Sequence, residues 1–387
     1  MTSGLAAARA AGVVETAARH ADDVDARARF PKEAFAALKQ HKLLGIAVPK
    51  SHGGGGASIR DVVALCHGLG QACASTAMIY AMHQIQVWCI VRHGGSSAWH
   101  QAFLKRLAAE QLLLASATSE AGVGGDVRSS ICAIEEKNGR FALAKQATVI
   151  SYGADAQGIL VTARRTPQSP ASDQVIVVLP RDGYRLEHLQ AWDTLGMRGT
   201  CSDGYHLKGE GEMAQIVPLP YADVSAQTML PTSHLVWGAT WLGIASDAVA
   251  RARAFIRNEA RKNAGTVPLG ATRLAEASTL LHQMKSVLEA SLSRYEAALE
   301  SEDRLQSPHF AVAMNDLKIS ASRLVVRVVE QALLACGLSG YRNDSAFSLG
   351  RHLRDAHSAA LMVNNDRILA NSARLQLALR EEPEPFA

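Results

Sequence analysis

Histidine is the side chain that exchanges a proton near neutral pH, and three of them stand in helical runs where they could act on a bound molecule. His83 closes the run Ala77-Met78-Ile79-Tyr80-Ala81-Met82-His83, His234 begins a stretch that continues to Trp237 and Trp241, and His357 follows Arg354-Asp355-Ala356. His234, Trp237 and Trp241 recur at helical spacing and therefore share one face. In a chain with only 5% aromatic residues this is a concentrated use of rings, suited either to lining a pocket or to filling a core. Ser119 and Ser151 stand where a hydroxyl either caps a turn or offers a hydrogen bond to a ligand. The run Gly53-Gly54-Gly55-Gly56 is not followed by a Lys-Ser/Thr pair, so it reads as a turn and not as a phosphate loop. The six cysteines (Cys66, Cys73, Cys89, Cys132, Cys201, Cys336) show no C-x-x-C pair and no regular spacing. That argues against both a zinc site and a disulfide framework.

The elements that must position these side chains fall into three stretches. The 387 residues are nearly half apolar and one-fifth charged, enough to bury a large core in two or three subdomains. The formal charge of +4 is spread along the chain, which gives nucleic-acid binding no support. No apolar run is long enough to cross a bilayer and no charged-then-apolar leader follows Met1, so a cytoplasmic protein without membrane contact is expected. Residues 1–115 read as an N-terminal helical domain. Residues 116–222 turn to short apolar runs bounded by turn residues, with strands at 158–163 and 174–180. From 223 to 387 helical periodicity returns: Leu281, Met284, Leu288, Leu292, Tyr295 and Leu299 form one stripe, and two more helices are expected from Pro308 to Leu334 and from Leu353 to Leu379. The acidic, Pro-rich tail after Glu381 is expected to fray.

That order of elements, and several motifs along it, resemble the acyl-CoA dehydrogenase superfamily. Leu43-Leu44-Gly45-Ile46-Ala47-Val48-Pro49 before the glycine run is similar to the family's entry segment. Ala117-Thr118-Ser119-Glu120-Ala121-Gly122-Val123-Gly124-Gly125-Asp126 resembles its flavin-contacting Thr-Glu-Pro-x-Gly-Ser-Asp loop. Leu195-Gly196-Met197-Arg198-Gly199-Thr200 resembles its Leu-Gly-x-Arg-x-Ser turn, and Cys336-Gly337-Leu338-Ser339-Gly340-Tyr341 with Arg354-Asp355-Ala356 its last two signatures. The resemblance implies a mostly α fold: an N-terminal helical domain, a small β-barrel-like domain and a C-terminal four-helix bundle. It also implies FAD, in preference to FMN, held between the β domain and the bundle. The cofactor contacts it implies are Ala117, Ser119, Gly124, Gly125, Val149, Ser151, Arg261 and Asn365. Val149 stands where the family has a tryptophan against the flavin, and Arg261 begins Arg261-Lys262-Asn263-Ala264-Gly265, where the family has Arg-x-x-Phe-Gly reaching a neighbour's cofactor. A homodimer or homotetramer is implied, along with an acyl thioester substrate and an electron-accepting flavoprotein or a flavin reductase as partner.

Desaturating a thioester needs a carboxylate that removes the proton beside the carbonyl while hydride passes to the flavin. The family carries it in a Tyr-Glu-Gly-Thr segment after Arg-Asp-Ala, where this chain has Val363, or on the first bundle helix, where it has Ser233 beside His234. Asp366, three residues beyond Val363, is the substitute base if both lie on one helix, with His234 nearby. Members of the same superfamily are monooxygenases that react reduced flavin with oxygen, and on that alternative His83 and His357 would act. A non-catalytic flavin- or acyl-binding protein is the third alternative. No metal site is expected.

Overall fold

The computed structural model describes residues 4–262 and 265–379. The acidic tail lies outside the described residues, as do Asn263 and Ala264 of the expected neighbour-contacting segment.

Five helices come first: α1 (Gly4–Ala26), α2 (Lys32–Gln40), α3 (Ile59–Ala72), α4 (Ala74–His93) and α5 (Ala98–Glu110). The glycine run turns the chain between α2 and α3, with Gly53 left-handed after a single turn at Lys50–His52. Ser58 then starts α3 through a capping box with Asp61, satisfying donors that a helix start leaves open. α4 is buried on nearly every side, as a helix apolar all round must be.

Seven strands follow: β1 (Leu114–Ala117), β2 (Glu135–Lys137), β3 (Arg140–Ala147), β4 (Gly158–Arg164), β5 (Gln174–Pro180), β6 (Tyr184–Gln190) and β7 (Gly204–Glu212). β4 and β5 occupy the two expected apolar runs and are buried on both faces. They form one sheet in the order β1-β4-β5, with Ala117 opposite Val161 in parallel register. The second sheet runs β2-β3-β7-β6, all antiparallel. The two sheets pack together, Leu179 of β5 lying against Gly209 of β7. They do not close into a barrel: β5 and β6 are joined by the turn Arg181–Gly183 but belong to different sheets, so the edges stay open.

The remainder is helical: α6 (Tyr221–Val224), a π turn (Ser225–Met229), α7 (Leu230–Lys262), α8 (Ala271–Ala298), α9 (Glu302–Gln306), α10 (Pro308–Cys336), α11 (Leu338–Tyr341), α12 (Gly350–His357) and α13 (Asn365–Ala378). α7, α8 and α10 pack on one another, and α12 and α13 share the fourth place against α10. α3 and α4 pack on α7, so α7 ties the N-terminal helices to the bundle. The single helix expected from Leu353 to Leu379 is in fact two. Val363 is left-handed, with φ 47°, a conformation a β-branched residue adopts only under constraint, and Asn364 caps α13 by accepting from the Asp366 N–H. Among the described residues no helix is long and apolar enough to cross a membrane.

Candidate functional site

Two groups of residues flank the junction between the β region and the bundle. The first lies on the β side. The Ser119 hydroxyl donates to the Val149 carbonyl at 3.0 Å and accepts from the Val149 N–H at 3.3 Å, which clamps the loop after β1 to the turn after β3. Ser151 Oγ is 2.7 Å from Ser202 Oγ, which is 2.9 Å from Thr200 Oγ1, so three hydroxyls form a chain. Tyr152, Met197 and Cys201 beside them are left-handed, at a cost of roughly 1 to 2 kcal/mol each; such strain gathers where a site needs a fixed backbone. Glu120 is buried and fully used, accepting from the N–H groups of Ile131 and Cys132 and from Ser130, with the Lys145 ammonium at 3.5 Å. It anchors the loop.

Beyond Glu120, Gly122, Gly124 and Gly125 are all left-handed. A Cβ at Gly124 would meet nothing within 4 Å, and among the described residues no protein acceptor takes the N–H groups of Gly124 and Gly125. This exposed cradle of free donors has the character that a phosphate or the edge of a flavin ring requires. Arg367 of α13 donates to the Gly124 carbonyl and so holds the cradle against the bundle.

The second group is the seam between α7 and α10, and it is buried. His234 is 2% exposed, and its Nδ1 lies 2.8 Å from the Met314 carbonyl. A carbonyl only accepts, so Nδ1 carries the proton and Nε2 keeps its lone pair. Burial pushes the His234 pKa down to about 4, against the pull of the carbonyl. One turn on, the Trp237 ring is 6.2 Å from His234; one turn further along α10, the Lys318 ammonium is 5.9 Å from the Trp241 ring. Lys318 is buried and donates to the Val363 carbonyl at 2.7 Å and to Asn365 Oδ1 at 2.6 Å. Burial lowers its pKa to about 8. Asn365 is tied further to Ser322. The Ser233 hydroxyl is spent on the Met229 carbonyl. The indole N–H groups of Trp237 and Trp241 have no partner.

The seam thus brings His234, Val363 and Asn365 together, while the other expected residues sit elsewhere. His83 is completely buried; its Nε2 donates to the Leu44 carbonyl at 2.9 Å and its Nδ1 accepts from the Leu114 N–H at 3.0 Å. Both nitrogens are committed to joining α4, the turn after α2 and β1, and burial takes the pKa to about 4. His357 ends α12 on the surface. Asp366 is exposed in the first turn of α13. Because Val363 is outside that helix, the two do not share a helical face. Arg354 is occupied by Asp25 and Arg367 by Gly124, so neither pairs with Asp366. Arg261 is exposed at the last turn of α7. Lys318 escaped the sequence reading, although it left a signal: a lysine on the stripe Met314, Leu317, Ala321, Val325 that α10 buries.

Known proteins place this arrangement in a family. The sequence model of the acyl-CoA dehydrogenase N-terminal domain matches residues 5–111, and that of the acyl-CoA dehydrogenase C-terminal domain matches residues 224–370, together more than half of the chain. A cyclohex-1-ene-1-carbonyl-CoA dehydrogenase from Geobacter metallireducens is 25% identical over 352 residues, covering 89% of this chain and 90% of the relative. An L-evernosamine nitrososynthase from a Micromonospora species is 26% identical over 369 residues, covering 91% and 84%. Among solved structures, FMN-bound TdsC from Paenibacillus sp. A11-2 superposes with a TM-score of 0.83 at 20% identity, covering 98% of this chain and 99% of that one, a likeness of fold. The chain belongs to the acyl-CoA dehydrogenase family and is a flavin-dependent oxidoreductase of that family.

Proposed function

We propose that this oxidoreductase is a monooxygenase that takes reduced flavin and oxygenates a small molecule, and that it does not desaturate acyl thioesters. One observation carries the reading: the two places where a family base is expected hold Val363 and Ser233, whose polar groups are already engaged by Lys318 and Met229. Without a carboxylate at either place, the family's usual group for removing the proton beside the thioester carbonyl is missing. Asp366 is exposed in the first turn of α13, off the helical face expected to carry it beside Val363. The nitrososynthase relative and the fold likeness to FMN-bound TdsC, which a second structure calls dibenzothiophene monooxygenase, support the same direction.

A reduced flavin supplies two electrons to dioxygen, one oxygen atom entering the substrate and the other leaving as water. The chain's own residues have separate tasks on this reading. Ser119, Ser151 and the main chain at Ala117 and Val149 would hold the ring edge, Ser119 and Val149 first releasing each other, and the N–H groups of Gly124 and Gly125 would take the phosphate. Arg261 would reach a second subunit's cofactor, and Asn365 would contribute through its backbone. His234, kept neutral by burial and with its Nε2 lone pair free, is the histidine suited to accept a hydrogen bond from a bound molecule; His83 would first have to give up both of its hydrogen bonds.

The test uses purified protein reconstituted in turn with FAD and FMN. Anaerobic titration with a panel of acyl-CoA thioesters is expected to leave the oxidised flavin spectrum unchanged. Reduced flavin supplied by NADH and a flavin reductase is expected to be reoxidised faster with the protein than without it. Bleaching of the bound flavin by any thioester would return the chain to the dehydrogenases and reopen the search for its base.

A further inference from the structure

The geometry points to the seam between α7 and α10 as a binding site for the oxyanion head of a small organic acid, a carboxylate or sulfinate, received by Lys318 and the indole N–H groups of Trp237 and Trp241. The argument is a count of donors against acceptors. Lys318 has three N–H bonds: two go to the Val363 carbonyl and Asn365 Oδ1, both neutral, and the third has no acceptor among the described residues, the ammonium lying 5.9 Å over the Trp241 ring. No carboxylate neutralises it among the described residues, and burial alone acts on its titration. A buried charge without a counter-charge is unusual in a finished core. Beside it, two buried indole N–H groups have no acceptor, whereas buried donors are nearly always paired. The nearest imidazole, His234, brings a lone pair on Nε2 but no negative charge. The unpaired donors in the seam therefore outnumber its one free acceptor, His234 Nε2, and what they lack is a negative partner.

Lys318 and Trp241 are fully buried, whereas Trp237 is 8% exposed and Val363, whose carbonyl Lys318 holds, is 43% exposed. The indole faces and the apolar residues of α10 offer surface for the remainder of the acid. A neutral apolar ligand would leave the donors unpaired, and sites built on hydrogen bonds reject analogues that lack the matching group.

Calling this anion the substrate rests on the monooxygenase reading; the affinity pattern does not. The experiment is calorimetric titration of flavin-saturated protein with benzoate, benzenesulfinate and the neutral isostere benzamide. Benzoate or benzenesulfinate is expected to bind at least about tenfold more tightly than benzamide, the difference one charge-assisted contact makes. Lys318→Met is expected to lose about that factor and Lys318→Arg to retain most of it. Circular dichroism and flavin content check that both variants are folded; should Lys318→Met fail to fold, Trp237→Phe and Trp241→Phe carry the test, each weakening benzoate several-fold. Equal affinity for benzoate and benzamide, no binding of either acid, or an unchanged Lys318→Met would overturn the proposal. So would displacement of benzoate by FMN but not by riboflavin, which would assign the seam to the cofactor's phosphate. Thioester bleaching in the preceding experiment removes the substrate label and leaves the affinities standing; equal affinities with intact oxygen consumption do the reverse.

Discussion

The two sides of the junction solve opposite problems. On the β side the polar groups are exposed or paired with each other: Ser119 with Val149, Ser151 with Ser202, Glu120 with three donors. The free donors there, at Gly124 and Gly125, face water, which satisfies them at no cost until a ligand arrives. On the bundle side the polar groups are buried, and several lack partners: a lysine without a carboxylate and two indole N–H groups without acceptors. The difference teaches where to look for what this chain does: the helices before and after the β region carry the family match, and on the proposed reading the buried seam decides the reaction.

Acid should have the largest effect and test whether the two sides fail together. Burial lowers the pKa values of His83 and His93 of α4, His100 of α5 and His234 of α7 to about 4, from an unfolded value near 6.5. A group whose folded pKa is depressed in this way binds more protons when unfolded between those two values. Its contribution is therefore whole above about pH 6.5 and is lost as pH falls toward 4. At pH 5 each histidine accounts for roughly 2 kcal/mol by this linkage. Asp355, whose burial raises its carboxyl to about 6, works in the opposite direction and offsets about one of the four. Denaturant melts at pH 7 and pH 5 are expected to show a loss of several kcal/mol, with flavin released in the same transition as the helices. A stability that stays flat over that interval would mean that these histidines are wetter than their packing indicates, and flavin leaving first would make the β side the weaker one.

Next in size is Asn365→Leu. The resemblance puts Asn365 among the cofactor contacts, but its side chain points inward to Lys318 and Ser322. Losing it leaves the ammonium with one acceptor and costs about 2 kcal/mol. The denaturant midpoint is expected to drop while flavin affinity changes less than about threefold, near the size of one weak neutral contact. A large loss of flavin with an unmoved midpoint would reverse the assignment.

This pair of expectations also marks what the sequence made legible. The element order and the strands β4 and β5 could be read because their signals are local: apolar runs between turn residues and glycines in a row. The break at Val363 could not, because nothing in its side chain foretells a left-handed valine. Lys318 of α10 grips its carbonyl from 45 residues away in sequence. The same break undid the idea that Asp366 continues Val363's face, since helical arithmetic holds only inside one helix. His83 looked like a catalyst for a related reason: a helical histidine gives no sign in the sequence of which main-chain groups will occupy its nitrogens.

The smallest expected effect is on the β side. Gly124 is left-handed, with φ 60° and open space where a side chain would go. Gly124→Val has room, so nothing in the core is pushed, but a β-branched residue resists that conformation by roughly 1 to 2 kcal/mol. An exposed loop relieves such strain by rotating its peptides, and that rotation turns the free N–H groups of residues 124 and 125 away from their common direction. The melting temperature of the flavin-free protein is therefore expected to move little, whereas flavin affinity, followed by quenching of flavin fluorescence, falls about tenfold, equivalent to about 1.4 kcal/mol. Arg367 sharpens the reading: its grip on the Gly124 carbonyl is the direct tie between the cradle and α13, so Arg367→Ala combined with Gly124→Val should add little to the loss from Gly124→Val alone. If the two losses multiply instead, the cradle does not depend on its attachment to the bundle, and the two sides of the junction act independently.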